Sequence, residues 1–335
     1  MPAPARKREL GRGERVLPGL WRLRLPLPWP GIPHGNAWAI AAGDGIVLVD
    51  TGIHAPGSMA HLERALDMVN LRLDSVRLLV CTHAHPDHFG QAATIVERTG
   101  CELWLHPNHG HMSRAANDPA LWLEHRLEIA RQSGVPEDVL RRYIEQRRHS
   151  SDLGIAGFVE PDRNLVDGVT VPTDLGDWQV VETPGHAPSH VCFFQAERRL
   201  LISGDHLLGR VTLHFDFGYT PDPAGEFLES LEKVEDLGAR LCMAGHGRTF
   251  TDVRTHVHAY RQLVAERLQA VLDTIAFEPL TGIEIVPHVF GRSPDEMMVA
   301  EWMSETLSYL QHLEMTGRAE RVNGADGEPE RWRAA

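Results

Sequence analysis

Three histidines and one aspartate stand within six consecutive positions of the heptapeptide THAHPDH, residues 82–88. Imidazole nitrogens and carboxylate oxygens are common protein ligands of metal ions such as zinc. His83 and His85 stand two positions apart after an apolar run, so both can point to one side of a strand end. Asp87 and His88 follow a proline and can face a second point from the start of a helix. The heptapeptide therefore predicts donors for two adjacent metal ions.

Three further candidate donors follow, each shortly after a run that predicts a strand. They are His186 in TPGHAPSH, Asp205 in SGDH and His246 in AGHG. A glycine directly precedes each donor, which lets the backbone turn tightly and leaves room for a metal. A single histidine is weak evidence for a metal site in a chain with twenty histidines, so the prediction rests on the joint spacing of all the donors. Asp50, which closes the strand IVLVD, is a candidate to orient a histidine ligand; its alternative role is a turn cap.

Strands and helices alternate around the heptapeptide, which indicates an α/β fold. Apolar runs predict strands at 16–27, 38–42, 46–50, 76–81 and 101–105, and helical periodicity predicts helices at 58–69, with Ser58 as N-cap, and at 90–99. Strand signals resume with 169–171, 178–182, 191–195, 200–203 and 241–244, and a helix is predicted at 224–237. The later strands end next to the donors at 186, 205 and 246, so one edge of the fold is expected to collect all of them.

Residues 106–158 break this alternation and are mostly helical in pattern, with helices predicted at 120–132 and 136–146. We interpret them as a helical insertion that packs over or beside the site and shapes substrate access. The histidines of the insertion are expected to be solvated or structural: His106, His109, His111, His125 and His149.

The two ends of the chain differ from the middle. Residues 1–14 are polar and are predicted to be disordered, and residues 15–255 are predicted to form the catalytic domain. A long amphipathic helix at 256–275 leaves that domain, and helix-like stretches at 280–290 and 297–316 precede a short polar strand. We therefore expect 256–335 to form a separate α-rich unit.

Composition restricts the partners. The formal net charge of −13 opposes binding to nucleic acid and to anionic membranes, which favours a small-molecule substrate. The four cysteines (Cys81, Cys101, Cys192 and Cys242) are scattered without a CxxC pair, as in proteins of a reducing compartment. No signal-peptide core or membrane-length apolar run occurs, so a cytoplasmic protein is expected, with a homodimer as one option.

The five motifs VDTG, THAHPDH, TPGHAPSH, SGDH and AGHG, in this order over residues 50–247, resemble the metallo-β-lactamase superfamily in its glyoxalase II-like hydrolase form. The resemblance implies an αββα sandwich with the metals at one edge, between the sheets. It also implies a ligand set: His83, His85 and His186 for the first metal, Asp87, His88 and His246 for the second, and Asp205 as the bridging carboxylate. Three further residues are candidates to orient these ligands through hydrogen bonds without binding a metal themselves: Asp50, His190 and His206.

The implied chemistry is hydrolysis by a hydroxide shared between two zinc ions, with Asp87 and Asp205 as catalytic carboxylates and iron or manganese as alternative metals. A thioester or related carboxylic ester, of the acyl-glutathione or acyl-CoA type, is the favoured substrate. Enzymes that hydrolyse β-lactams differ where Asp205 stands, and homoserine-lactone hydrolases carry a tyrosine where Leu208 stands. A phosphodiesterase or ribonuclease, a lactonase, a mononuclear iron persulfide dioxygenase and a metal-binding protein without hydrolytic activity remain as alternatives.

The C-terminal part resembles the winged-helix-like extension of lactamase-β-like hydrolases, some of which act on RNA. Its long helix carries Glu305 and Glu314 but no lysine or arginine between residues 303 and 315, which argues against a helix that reads DNA. We expect this unit to close one side of the substrate cleft or to form a dimer contact.

Overall fold

A computed structural model describes residues 10–29, 31–148, 153–294, 298–322 and 328–335. The described strands are β1 (Arg12–Leu17), β2 (Leu20–Pro26), β3 (His34–Ala42), β4 (Gly45–Val49), β5 (Val76–Val80), β6 (Glu102–Leu105), β7 (Arg163–Asn164), β8 (Thr170–Val171), β9 (Trp178–Glu182), β10 (Val191–Gln195), β11 (Leu200–Gly204), β12 (Leu241–Ala244), β13 (Leu280–Thr281), β14 (Ala319–Val322) and β15 (Arg331–Ala334). The described helices are α1 (Ser58–Asp67), α2 (Pro86–Phe89), α3 (Ala92–Thr99), α4 (Gly110–Asn117), α5 (Pro119–Gln132), α6 (Glu137–Arg148), α7 (Pro223–Asp236), α8 (Val253–Ile275), α9 (Gly282–Phe290) and α10 (Val299–Met315).

Two large sheets form the centre of the fold. The first runs β1 to β7 in chain order, and the second has the order β12-β11-β10-β9-β8. Strand β4 contributes to two cores, because Val47 and Val49 pack towards the second sheet while Ile46 and Leu48 pack towards α1 and α3. Strands that are buried on both faces read as continuous apolar runs, as IVLV does here. With helices α7 and α8 covering the second sheet, this is the predicted αββα sandwich.

The topology brings the donors to one edge. Strands β4 and β5 are parallel, as are β11 and β12, so each pair has its carboxyl ends side by side. The amide N–H of Asn36 donates to the carbonyl oxygen of Gly245 at 2.7 Å, and its side-chain amide donates to the carbonyl oxygen of Ala244 at 2.8 Å. These bonds join β3 of the first sheet to the end of β12 of the second, directly beside His246.

Several predicted boundaries are wrong. Strand β1 begins at Arg12, inside the segment 1–14 that was predicted to be disordered. The single predicted strand at 16–27 is two strands, because Gly19 at φ 81° turns the chain between β1 and β2. Gly57 rather than Ser58 occupies the N-cap position of α1, and no side chain caps that helix.

The insertion has one helix more than the two predicted from the sequence. Helix α4, GHMSRAAN, begins with glycine and has Met112 as its one large apolar side chain, so its short sequence gives only a weak helical signal. Its buried faces include His111 and Ser113, whose ring nitrogen and hydroxyl bond within the segment to Asn108 and His109. Polar contacts, rather than apolar burial, therefore hold part of this helix in place.

The C-terminal part packs against the catalytic part. Tyr309 and Leu310 of α10 belong to the same apolar cluster as Phe227 of α7 and Tyr260 of α8, which cover the second sheet. The two parts therefore share one continuous apolar cluster, and the domain boundary near residue 256 stays a prediction. A three-stranded sheet of order β13-β15-β14 follows, in which β15 was not predicted. The likeness to a winged helix stays a prediction. In the described part of the chain, every helix is too short or too polar to cross a membrane.

Candidate metal centre

Three histidines meet at the edge between the sheets. His85 Nδ1 lies 3.0 Å from His83 Nε2 and 3.1 Å from His186 Nε2. Burial and neighbouring imidazoles lower the pKa of His83 well below its usual value, and they lower that of His186 to about 3. Neutral rings present lone pairs, and three ring nitrogens so close together cannot all be satisfied by one another. A metal cation between them would satisfy all three.

The far nitrogen of each ring has a partner that selects the matching tautomer. His186 Nδ1 lies 3.1 Å from the carbonyl oxygen of His214, which can only accept, so the proton sits on Nδ1 and leaves Nε2 free. His85 Nε2 donates to Asp216 Oδ2 at 2.8 Å, which leaves its Nδ1 lone pair facing the cluster. His83 Nδ1 lies 3.0 Å from the Thr82 hydroxyl. Partners of this kind fix the orientation of metal-binding histidines.

A second cluster combines carboxylates with histidines. His246 Nε2 lies 3.1 Å from Asp87 Oδ2 and 3.1 Å from Asp205 Oδ2. His88 Nε2 lies 3.5 Å from Asp87 Oδ2 and 3.4 Å from Asp205 Oδ1. Burial opposes a charge on His246, but Asp205 and Asp87 outweigh it and raise the pKa to about 10. The buried negative charge of this cluster therefore favours the binding of a cation.

Two buried atoms of this cluster test whether a metal fits. His88 Nε2 and Asp205 Oδ1 point towards each other, yet neither has a hydrogen-bond partner of good geometry among the described residues. A buried polar atom without a partner costs about 1–3 kcal/mol. Such a cost is explained if these atoms bind a metal ion. The donor set therefore fits the metal that the sequence predicts.

Asp205 stands between the two clusters. Its Oδ2 is 3.1 Å from His246 Nε2 and 3.9 Å from His186 Nε2, so one oxygen faces donors of both clusters. Its backbone N–H donates to His190 Nε2 at 3.1 Å, and His190 Nδ1 in turn lies 2.8 Å from the Thr183 hydroxyl. His190 therefore supports the candidate bridging carboxylate through its backbone.

Asp50 lies behind the second cluster and is fully buried. Its carboxylate accepts from His88 Nδ1 at 2.8 Å and from the backbone N–H of Thr82 at 2.7 Å. The residue is held at φ 64°, in the left-handed region that costs a side-chain-bearing residue roughly 1–3 kcal/mol. This geometry fits the predicted role of Asp50 in orienting His88.

Other predicted site residues lie elsewhere. The His206 ring lies 4.9 Å from that of Phe227, and among the described residues neither ring nitrogen forms a hydrogen bond to a candidate metal ligand. Among the insertion histidines, His106 bonds to Glu182 at 2.8 Å. His125 lies beside Tyr219. His149 falls outside the described residues.

Sequence reasoning missed the partners of His85. Asp216 contacts His85 at 2.8 Å and His214 at 3.3 Å, and His111 Nε2 lies 3.6 Å from it. Asp216 stands in HFDF, without the adjacent glycine that drew attention to the other donors. Its distance of 131 residues from His85 leaves no local signal of the contact.

A buried set of histidines and carboxylates at the edge of an αββα sandwich defines a class of metal-dependent hydrolases. The model of the metallo-beta-lactamase superfamily matches residues 30–246, and the chain belongs to that superfamily. The metallo-beta-lactamase-like C-terminal domain matches residues 268–334.

Known relatives cover most of the chain. The structure resembles a metallo-beta-lactamase family protein, TTHA1429, from Thermus thermophilus, with a TM-score of 0.82 and 28% identity over 96% of this chain and 100% of that one. A beta-lactamase domain protein from Burkholderia ambifaria gives the same TM-score and identity, covering 96% of this chain and 94% of that one. The probable metallo-hydrolase YqjP of Bacillus subtilis is 23% identical over 288 residues, 82% of this chain and 86% of YqjP. The protein is therefore a metal-dependent hydrolase.

Proposed function

We propose that this hydrolase binds two zinc ions and cleaves a thioester or related carboxylic ester of the acyl-glutathione or acyl-CoA type. The observation that carries the proposal is the pair of donor clusters that face each other across Asp205. A set rich in imidazole with few carboxylates suits zinc. His83, His85 and His186 would hold one ion and Asp87, His88 and His246 the other, with Asp205 between them.

Zinc bound at these donors would supply a water of lowered pKa and a Lewis acid for the attacked carbonyl. The carboxylates of Asp87 and Asp205 complete the site. Burial works against their ionisation, but His88 and His246 outweigh it and lower the pKa of both. Both groups therefore stay ionised at neutral pH and can accept hydrogen bonds from a bound water. A thiolate leaving group needs no proton donor, so hydrolysis of a thioester places the smallest demand on further side chains.

A cleft next to the centre supports an acyl substrate. It lies between α5, α6 and α10 and has apolar walls that include Leu127, Val139, Val299 and Leu307. Asp216 forms part of the same wall and also holds His85 Nε2. The side chain of Asp216 thus lies between this cleft and His85 of the first cluster, and an apolar acyl group could lie in the cleft.

The test is metal analysis followed by a hydrolysis panel on the full-length zinc-loaded protein. The panel contains acyl-glutathiones and acyl-CoAs of increasing chain length. A lactone, a β-lactam, a phosphodiester and single-stranded RNA are tested as alternative substrates. We expect thioester turnover that Asp205→Asn abolishes. The control is His258→Ala, a histidine outside the two donor clusters that is 62% exposed and lies 3.7 Å from Glu235. Turnover of RNA or the phosphodiester alone, or of no thioester, would overturn the proposal.

A further inference from the structure

Helix α10 of the C-terminal part holds the loop that carries Asp216. The Ser304 hydroxyl accepts from the backbone N–H of Phe217 at 3.0 Å and donates to the carbonyl oxygen of Phe215 at 2.5 Å. One hydroxyl therefore binds the backbone on both sides of Asp216. The Phe215 ring is anchored in the core against Tyr309 of the same helix, with ring centroids 5.7 Å apart.

A second connection runs through side chains. Glu301, one turn before Ser304 on α10, lies 2.7 Å from His214 Nδ1. His214 Nε2 lies 3.3 Å from Asp216 Oδ1, and Asp216 Oδ2 lies 2.8 Å from His85 Nε2. An unbroken series of contacts thus leads from the C-terminal helix to a member of the first donor cluster.

We propose that α10 helps to orient a ligand of the metal centre. Through Ser304 and Glu301, this helix positions Asp216, and Asp216 in turn holds His85 with Nδ1 towards the metal. The physical reason is that an imidazole can carry its proton on either nitrogen. The Asp216 carboxylate accepts a hydrogen bond from the protonated Nε2 of His85, which leaves the lone pair on Nδ1. Asp216 can do this only if its own backbone and second oxygen are fixed, which is what α10 supplies.

The same residues do not form a metal site of their own. His85, His111 and Asp216 converge, but His85 Nε2 donates to Asp216 Oδ2 at 2.8 Å, so this nitrogen carries its proton and has no lone pair for an ion. The other nitrogen of His85 faces the first donor cluster. Asp216 is therefore a positioning residue and not an additional ligand.

The test compares zinc affinities of full-length variants, measured by competition with a chelator. Ser304→Ala removes both backbone contacts, and Ser304→Thr keeps the hydroxyl. The matched control is Ser308→Ala, whose buried hydroxyl donates to the Ser304 carbonyl oxygen within the helix. Asp216→Asn weakens the contact to His85 directly. Losses of support behind a metal ligand commonly weaken affinity by about 10–100-fold.

We expect Asp216→Asn to weaken one of the two zinc-binding steps by roughly 10-fold or more, and Ser304→Ala to weaken the same step by a smaller factor. Ser304→Thr should restore it, and Ser308→Ala should leave it unchanged. Glu301→Gln should have the smallest effect, because this carboxylate is 50% exposed and solvent screens it. Its matched control is Glu320→Gln, a carboxylate 49% exposed that pairs with Arg333.

Wild-type zinc affinity in both Ser304→Ala and Asp216→Asn would overturn the proposal. An equal loss in Ser308→Ala would also overturn it, because general loosening of α10 would then explain the effect. Thermal unfolding of the metal-free variants separates the two causes, since a positioning role lowers metal affinity without a matching loss of stability. The readout needs no substrate, so it stands whether or not the protein hydrolyses thioesters.

Discussion

Replacing Asp50 by asparagine removes a negative charge from a fully buried side chain behind the metal centre. The carboxylate accepts three hydrogen bonds, from His88 Nδ1 and from the backbone N–H and hydroxyl of Thr82. The side-chain oxygen of asparagine can accept one or two of these hydrogen bonds. Its NH2 group then faces the remaining N–H or O–H donor, and that hydrogen bond is lost. The loss of one charge-assisted bond costs about 2 kcal/mol. That cost corresponds to roughly 30-fold in metal affinity, because 1.4 kcal/mol is a factor of ten.

The fold should survive this change. Position 50 lies at φ 64°, a region that asparagine tolerates as well as aspartate does. We therefore expect Asp50→Asn to fold like the wild type and to bind zinc about 30-fold more weakly in a chelator competition. Asp74→Asn is the control, because Asp74 is 67% exposed and pairs with Arg72 on the surface. Unchanged zinc affinity in Asp50→Asn would refute the reasoning that Asp50 orients His88.

Three further predictions follow from the cleft, the core and the donors. Val299→Trp, which narrows the apolar cleft, should raise KM for long-chain acyl thioesters by about 10-fold or more and leave acetyl thioesters unaffected, as steady-state kinetics would show. Burial raises the pKa of Glu305 to about 7 from 4.5, despite the opposing hydrogen bond from Tyr309, so its contribution to stability is full below pH 4.5 and is lost as the pH rises through 7. Glu305→Gln should then be more stable than the wild type at pH 8, by up to about 3 kcal/mol in denaturant unfolding, and equally stable at pH 4.5. Removing zinc by chelation should lower the unfolding temperature, because zinc at 100 times its Kd adds about 2.7 kcal/mol, and a chelator without effect would contradict this.

The donors were predictable because their signals are local. His83 and His85 follow a buried apolar run, and His186, Asp205 and His246 each come directly after a glycine and close behind a strand. Parallel strands that end at one edge then bring such residues together, and the structure does so. What was predicted in this way depends on chain direction and strand alternation, which a sequence reveals.

The support of these donors was not predictable in the same way. Asp216 meets His85 across 131 residues of chain, and Ser304 meets Phe217 across 87. The contact of Ser304 forms where α10 packs near the Asp216 loop, and residues so far apart in the chain leave no local pattern. For the same reason the sequence does not show how the C-terminal part packs on the catalytic part, since an amphipathic helix does not reveal which surface it will cover.

The most direct test of the metal centre is anomalous diffraction from crystals of the zinc-loaded protein at the zinc absorption edge. We expect two peaks per chain, with Asp205 next to both. One should lie among His83, His85 and His186, and the other among Asp87, His88 and His246. A single peak, or peaks elsewhere in the fold, would contradict the dinuclear centre.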